Sequence, residues 1–342
     1  MNTTKSILLC AAAAAVAGCT TAPEGAVAER AKMRTRVTEI VRPALKDGKA
    51  QYQADSCWAV VQDAGSGEIL CTEAVGGTSG TPWRDAPFEA GNFVLPFLAA
   101  KAIENGVATP ESSFDVSSET VGGALIRDFA HGRTEMTLPE IVKWSSQRGG
   151  ARLALALGPG KAEDALLSFG FSLDGSAMEN GNPDARRAWS GVGRGVSADG
   201  LRTASAFSAL ANGGTLRDPW IEEEDGRVFF GRTVATEESC KAARELLRGV
   251  VRDDGTAKRA AVPGLDVAGK TSTFQIKDGS VYSHRFRSMF AGFFEAGGRT
   301  WTVLVVFEIP EQVKLKDAGY VAAPVFAEIA SGILGMTTAK RP

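Results

Sequence analysis

The chain has 342 residues, 44% of them hydrophobic and 23% charged, with a formal net charge of -2. That length supplies ample core for one large domain or two intergrown ones. The near-neutral balance excludes the electrostatic footprint of a nucleic-acid binder. Neither histidine, His131 or His284, has a second His or Cys at ligand spacing, so neither a metal site nor a cofactor is expected.

The N-terminal stretch MNTTKSILLCAAAAAVAGC has one basic residue, an apolar run and a small-residue end. The run is too short to span a membrane as an ordinary helix, and residues 1–18 read as a secretory signal outside the fold. V-A-G-C resembles a bacterial lipobox, which implies that Cys19 becomes the first mature residue and carries the lipid. Simple cleavage by the general signal peptidase is the alternative. Thr20 stands where the resemblance would put an inner-membrane retention aspartate. The expectation is therefore an exported, lipid-anchored domain facing the periplasm, on the outer membrane of a two-membrane cell.

Residues 19–50 read as a tether, TTAPEGA, and a Lys- and Arg-rich helix with apolar periodicity to about Pro43. Its basic side chains suit a solvated face better than an anionic lipid surface. CWAVVQDAGSGEILC reads as a hairpin, two apolar β-type runs around a Gly-rich turn. Cys57 and Cys71 are almost symmetric about that turn. In an oxidising compartment they form a candidate disulfide, with two reduced buried thiols as the alternative. Cys240 reads as a buried helix cysteine.

From Phe88 to about Asp254 the pattern is mostly helical. FVLPFLAAKAIENG is apolar almost all round, as in a helix buried within a domain, with Pro96 near its first turn. TLPEIVKWSSQRGGARLALALG, KAEDALLSFGF, GLRTASAFSALANGG and EESCKAARELLRGVVRDDG follow as helices, the last two closed by glycine signals. LDVAGKTSTFQIK, HRFRSMFAGFFEAGG and RTWTVLVVFEIP then read as strands, and AAPVFAEIASGILGM as a final helix. Strands at both ends around a helical middle imply an α/β (α+β) fold. In it, N- and C-terminal strands share one mixed sheet flanked by helices, and an all-helical lobe is inserted.

The order of hairpin, EAGNFVLPF helix, SSQ, ANGG, GKTST, final strands and AAPVF helix resembles the transpeptidase domain of penicillin-binding proteins, of the cell-division and elongation class. The resemblance covers roughly Tyr52 to Met336, which sets a β-lactamase/D,D-transpeptidase-like domain at 51–336 and a tail at 337–342. Even GVGRG, superficially a phosphate loop, matches the family's glycine-rich segment before the ANGG helix. Three motifs converge on the cleft in that family: S-x-x-K, S-x-N and K-T-G. The first serine attacks a D-alanyl or β-lactam carbonyl, and the lysine one helical turn on takes its proton. The other two motifs shuttle protons and bind the substrate carboxylate, while backbone N–H groups form the oxyanion hole.

Here Asn92 stands at the serine's position and Leu95 at the lysine's, so no catalytic pair is intact. An amide is no nucleophile at neutral pH and a leucine moves no proton. Asn92 is expected to cap the helix, and Leu95 to fill the core. The second motif reads Ser145-Ser146-Gln147, with the amide one methylene further out. The third keeps Lys270 and Thr271 but puts Ser272 in place of glycine, where a side chain is expected to narrow the cleft. Lys270, Thr271 and Thr273 remain candidates for holding a carboxylate, together with Ser145 and the Trp144 next to it.

The expected protein is a catalytically inactive, lipid-anchored relative acting in cell-wall biology. Its expected partners are a peptidoglycan stem peptide or a protein of the synthesis machinery; a β-lactam would bind only non-covalently. The alternative is an active serine acyl-transfer enzyme with a relocated nucleophile, Ser272 or Ser145. A bare scaffold with an empty cleft is the third.

Overall fold

The computed structural model describes residues 24–77, 81–84, 86–128, 132–174, 181–221, 230–278 and 281–339. Cys19, the signal region and His131 lie outside the described residues. Among those described, no helix is long and apolar enough to cross a membrane.

The chain opens with α1 (Glu24–Gln51), followed by the hairpin β1 (Ser56–Asp63) and β2 (Ile69–Gly76). α1 continues past Pro43, where the periodicity suggested an end. Pro43 faces solvent, while Val37, Val41, Ala44 and Leu45 are fully buried, so packing outweighs the lost helix hydrogen bond. Gly48 permits the close approach: a Cβ there would lie 2.8 Å from Val325 and 2.9 Å from Phe307. Part of the basic face is engaged by the hairpin. Arg34 donates to Glu68, and Arg42 makes a two-pronged contact with Glu73. The packed unit thus takes in α1, ahead of the expected boundary at residue 51.

The middle of the chain is helical: α2 (Val94–Glu104), α3 (Leu138–Trp144), α4 (Gln147–Leu157), α5 (Lys161–Ser168), α6 (Pro183–Gly191) and α7 (Gly200–Ala211). The segment expected as one helix from Thr137 onward is two, because Ser145 adopts φ 58° and breaks it. Ser146 then caps α4, accepting from the Gly149 N–H at 2.9 Å. Phe97 of α2 is the hub of this lobe, with ring centroids 4.8 Å from Phe169, 5.1 Å from Phe171 and 5.2 Å from Phe207.

A short ribbon, β3 (Thr215–Arg217) with β4 (Gly231–Thr233), leads into α8 (Glu237–Val251). Three long strands follow: β5 (Ala268–Asp278), β6 (Val281–Ala296) and β7 (Arg299–Ile309), and α9 (Ala322–Thr338) closes the fold. The five-stranded sheet has the order β5-β6-β7-β1-β2, and every pairing is antiparallel. The β6–β7 turn is made by Gly297 and Gly298, both at positive φ as a tight hairpin requires. Chain ends thus share one sheet with the helical lobe inserted between them.

The hairpin register separates the two cysteines proposed as a disulfide. Cys57 pairs with Val75 and Cys71 with Val61, four residues apart along β1. Their thiols are free and buried: Cys57 donates to the Leu45 carbonyl, and Cys71 lies 3.5 Å from the Thr38 hydroxyl. The cysteines are not symmetric about the turn: the ladder is centred on Ser66 and the two cysteines on Ala64, so Cys57 meets Val75. Burial pushes both thiols up to about 12, which removes their reactivity.

Candidate functional site

One wall of the cleft is the entrance to α2. Strand Phe88–Glu89 pairs with Val196–Ala198, and the tight turn Gly91–Phe93 then feeds the helix. Gly91 has φ +53°, and a Cβ there would lie 2.5 Å from the Ser272 hydroxyl and 2.9 Å from the Phe274 ring, so nothing larger fits. Glu89 anchors the turn. Its carboxylate accepts from the Gly195 N–H at 2.8 Å and the Tyr282 hydroxyl at 2.8 Å, and pairs with Lys277 at 3.1 Å. Burial first, then the Glu89 carboxylate, hold the Tyr282 phenol protonated well above its ordinary range.

Asn92 lies half-buried in that turn and does not cap α2. The backbone already has helical angles at Ala90 and Phe93, leaving no extended residue whose side chain could reach back. Leu95 is fully buried, and its Cδ2 lies 2.6 Å from where a Cβ on Gly150 would sit. It fills the space between α2 and α4.

The opposite wall is β5, whose side chains alternate. Lys270, Ser272 and Phe274 turn towards the α2 entrance. Ser272 donates to the Ala90 carbonyl at 2.9 Å and ties the strand to the start of the turn. Thr271 and Thr273 face the other way. The Thr271 hydroxyl lies 3.1 Å from that of Thr256, which donates to the Lys143 carbonyl; Thr273 accepts from the Ala318 N–H. The structure therefore brings Lys270 and Ser145 together but keeps the hydroxyls of Thr271, Ser272 and Thr273 engaged within the fold. The backbone N–H of Gln147 is held by Asp128 at 2.7 Å.

Lys270 is fully buried, and its ammonium donates to the Ser145 hydroxyl and, at 3.2 Å, to the Thr271 carbonyl. Burial depresses its pKa to about 7, and Asp317 partly counters that. Ser145 is half-buried at the left-handed bend after α3. A hydroxyl that accepts from an ammonium behind it turns its own proton outward, and so offers a polarised donor to the cleft. Beside it, the Trp144 indole donates to the Asp254 carbonyl at 3.2 Å, and the Arg133 guanidinium stacks 3.9 Å from the ring. Lys143 pairs with Asp254.

The sequence model of a family described as the penicillin binding protein transpeptidase domain matches residues 57–331, most of the chain. The chain belongs to the penicillin-binding protein transpeptidase domain family. Penicillin-binding protein PbpB of Mycolicibacterium smegmatis is 30% identical over 86% of this chain and 52% of its own length. Stage V sporulation protein D of Bacillus subtilis is 28% identical over 90% of this chain and 54% of its own. The chain thus spans about half the length of these curated relatives. The apo TP domain of Burkholderia pseudomallei penicillin-binding protein 3 superimposes with a TM-score of 0.76. At 24% identity, it covers 90% of this chain and 97% of that one, a likeness of fold.

For a penicillin-binding protein domain, the sequence reading passed over Glu89, Asp128 and Tyr282. Asp128 is buried, accepts from the Ser146 hydroxyl and the Gln147 N–H, and pairs with Arg148 at 3.5 Å. It fixes the bend that presents Ser145. Glu89 could have been found as the acid two residues before Gly91 in EAGN. Asp128 and Tyr282 leave no local signal, because their partners lie far along the chain.

Proposed function

We propose that this chain is a non-acylating penicillin-binding-protein relative that binds the carboxylate end of a peptidoglycan stem peptide reversibly, at the periplasmic face of a membrane. The observation that carries the reading is the helix wall. Asn92 supplies no nucleophile, and the wholly buried Leu95 fills the place where a proton acceptor would be needed. Ser145 is the donor that would meet a ligand carboxylate, with the Lys270 ammonium behind it.

A carboxylate favours the protonated lysine, so affinity is expected to be greatest below about pH 7 and to fall as pH rises through the depressed pKa of Lys270. The lipid anchor belongs to the same proposal, and a Cys19→Ser chain is expected to lose membrane association.

The Ser145–Lys270 contact also favours a second reading: a serine beside a lysine of lowered pKa is the arrangement of a relocated nucleophile and base. Incubation of the protein with a fluorescent penicillin, then denaturation, separates the two. No covalent band is expected; a band lost on Ser145→Ala would establish the second reading and sink the first. Equilibrium binding of a D-Ala-D-Ala peptide then tests the ligand. Loss of binding in Ser145→Ala is expected, and no binding by the unaltered chain would leave only a scaffold.

A further inference from the structure

A cavity of about 530 Å³ opens between α5, α7 and the β3–β4 ribbon, and none of the cleft side chains lines it. Its walls carry four arginines, Arg84, Arg202, Arg217 and Arg232, against two acids, Asp199 and Asp218. Asp199 is already engaged, capping α7 through the Arg202 N–H at 2.8 Å and pairing with the Arg202 guanidinium at 3.4 Å. The Nε of Arg217 is buried and makes no hydrogen bond among the described residues. A buried donor left unmade is costly, and an incoming acceptor would relieve it.

The floor is apolar, formed by Phe169, Phe171, Leu201 and Leu216. Apolar surface continues outward through Leu167, 46% exposed, and Phe230, 71% exposed at the start of β4. β4 itself is exposed along its length and has no strand partner besides β3 among the described residues. A basic rim, a greasy floor and an open strand edge together match an extended peptide carrying carboxylates and apolar side chains.

We propose that this cavity is a docking site for an acidic, apolar-anchored peptide segment of a partner protein. Carboxylates meet Arg84, Arg217 and Arg232, and an apolar side chain fills the floor. The site stands independently of the cleft and of its acylation chemistry.

The probe is a fluorescein-labelled peptide alternating Glu and Leu, followed by anisotropy at low salt, with the Gln-for-Glu peptide as control. The chain's own acidic run, Glu222, Glu223, Glu224 and Asp225, joins the two strands of the ribbon, so the probe is also tested on a chain with that run converted to amides. Saturable binding of the acidic peptide to either chain is expected. It should weaken by about tenfold in Arg217→Gln/Arg232→Gln, and separately in Arg84→Gln, and fall with added salt. Arg84 is exposed, so Arg84→Gln keeps the fold and tests the site independently of the partly buried Arg217. Equal binding of the amide peptide, indifference to all the arginine changes, or no saturable binding by either chain would overturn the proposal.

Discussion

The two walls of the cleft place opposite demands on their side chains. At the α2 entrance, Leu95 and Phe97 are fully buried in apolar surroundings, and nothing in that packing requires a nucleophile. On β5, the fully buried Lys270 sits in a place that disfavours its charge, and the Ser145 hydroxyl, the Thr271 carbonyl and the nearby Asp317 carboxylate compensate it in part. The difference shows that the fold and the chemistry separate cleanly. Hydrophobic burial can hold the helix wall in position with an amide at Asn92 and a hydrocarbon at Leu95, whereas the strand wall keeps polar groups that the fold alone would do better without.

The sharpest way to break this contrast is to rebuild the helix wall. Asn92→Ser alone is expected to give no penicillin-labelled band, because its serine has no base. Combining it with Leu95→Lys, and with Ser272→Gly to free the strand from Ala90, should raise labelling by about 100-fold or more, the size of a general-base contribution. Full labelling of the single variant would show that Leu95 and Ser272 are irrelevant.

Removing apolar packing should come next in size. Phe97→Ala deletes a ring in contact with three others and is expected to cost about 3–5 kcal/mol in urea unfolding. A loss under about 1 kcal/mol would deny the helix wall its packing explanation.

Lys270→Met tests the strand wall in the opposite direction. With the buried ammonium gone, unfolding stability near neutral pH should rise by about 1–4 kcal/mol while peptide binding is lost. The folded pKa of Lys270, about 7, is below its unfolded value. Between the two the unfolded chain binds more protons, so stability of the parent rises with pH from about 7 upward. The methionine variant should lack that rise, and an identical pH profile in both chains would disprove the assigned burial cost. Last comes Ser146→Ala, which removes both the α4 cap and the hydrogen bond to buried Asp128 and should cost about 2 kcal/mol in the same measurement.

The hairpin, the three long strands and the final helix were legible because their apolar periods and glycine turns are local. The α3–α4 break was not, since a serine at positive φ is held there by Asp128 and Lys270, which come from distant segments. The cysteine pairing failed for a related reason: the ladder, which spacing does not reveal, centres the hairpin on Ser66 and not on Ala64. Within the site, the residue types at 92, 95, 145 and 270 could be read directly. That Ser272 would brace the α2 entrance, and that the Thr271 and Thr273 hydroxyls would be engaged by Thr256 and the Ala318 N–H, could not.

The order of elements, the family and the residue types at 92 and 95 were fixed by the amino acids alone, because periodicity, turn residues and side-chain chemistry are properties of short windows. The tertiary structure alone decided which polar groups face the cleft and which are engaged elsewhere. It also set the depth of Lys270 and the gathering of arginines from four separate segments around one cavity. Those outcomes depend on strand register and helix approach, where a shift of one residue turns a side chain to the other face.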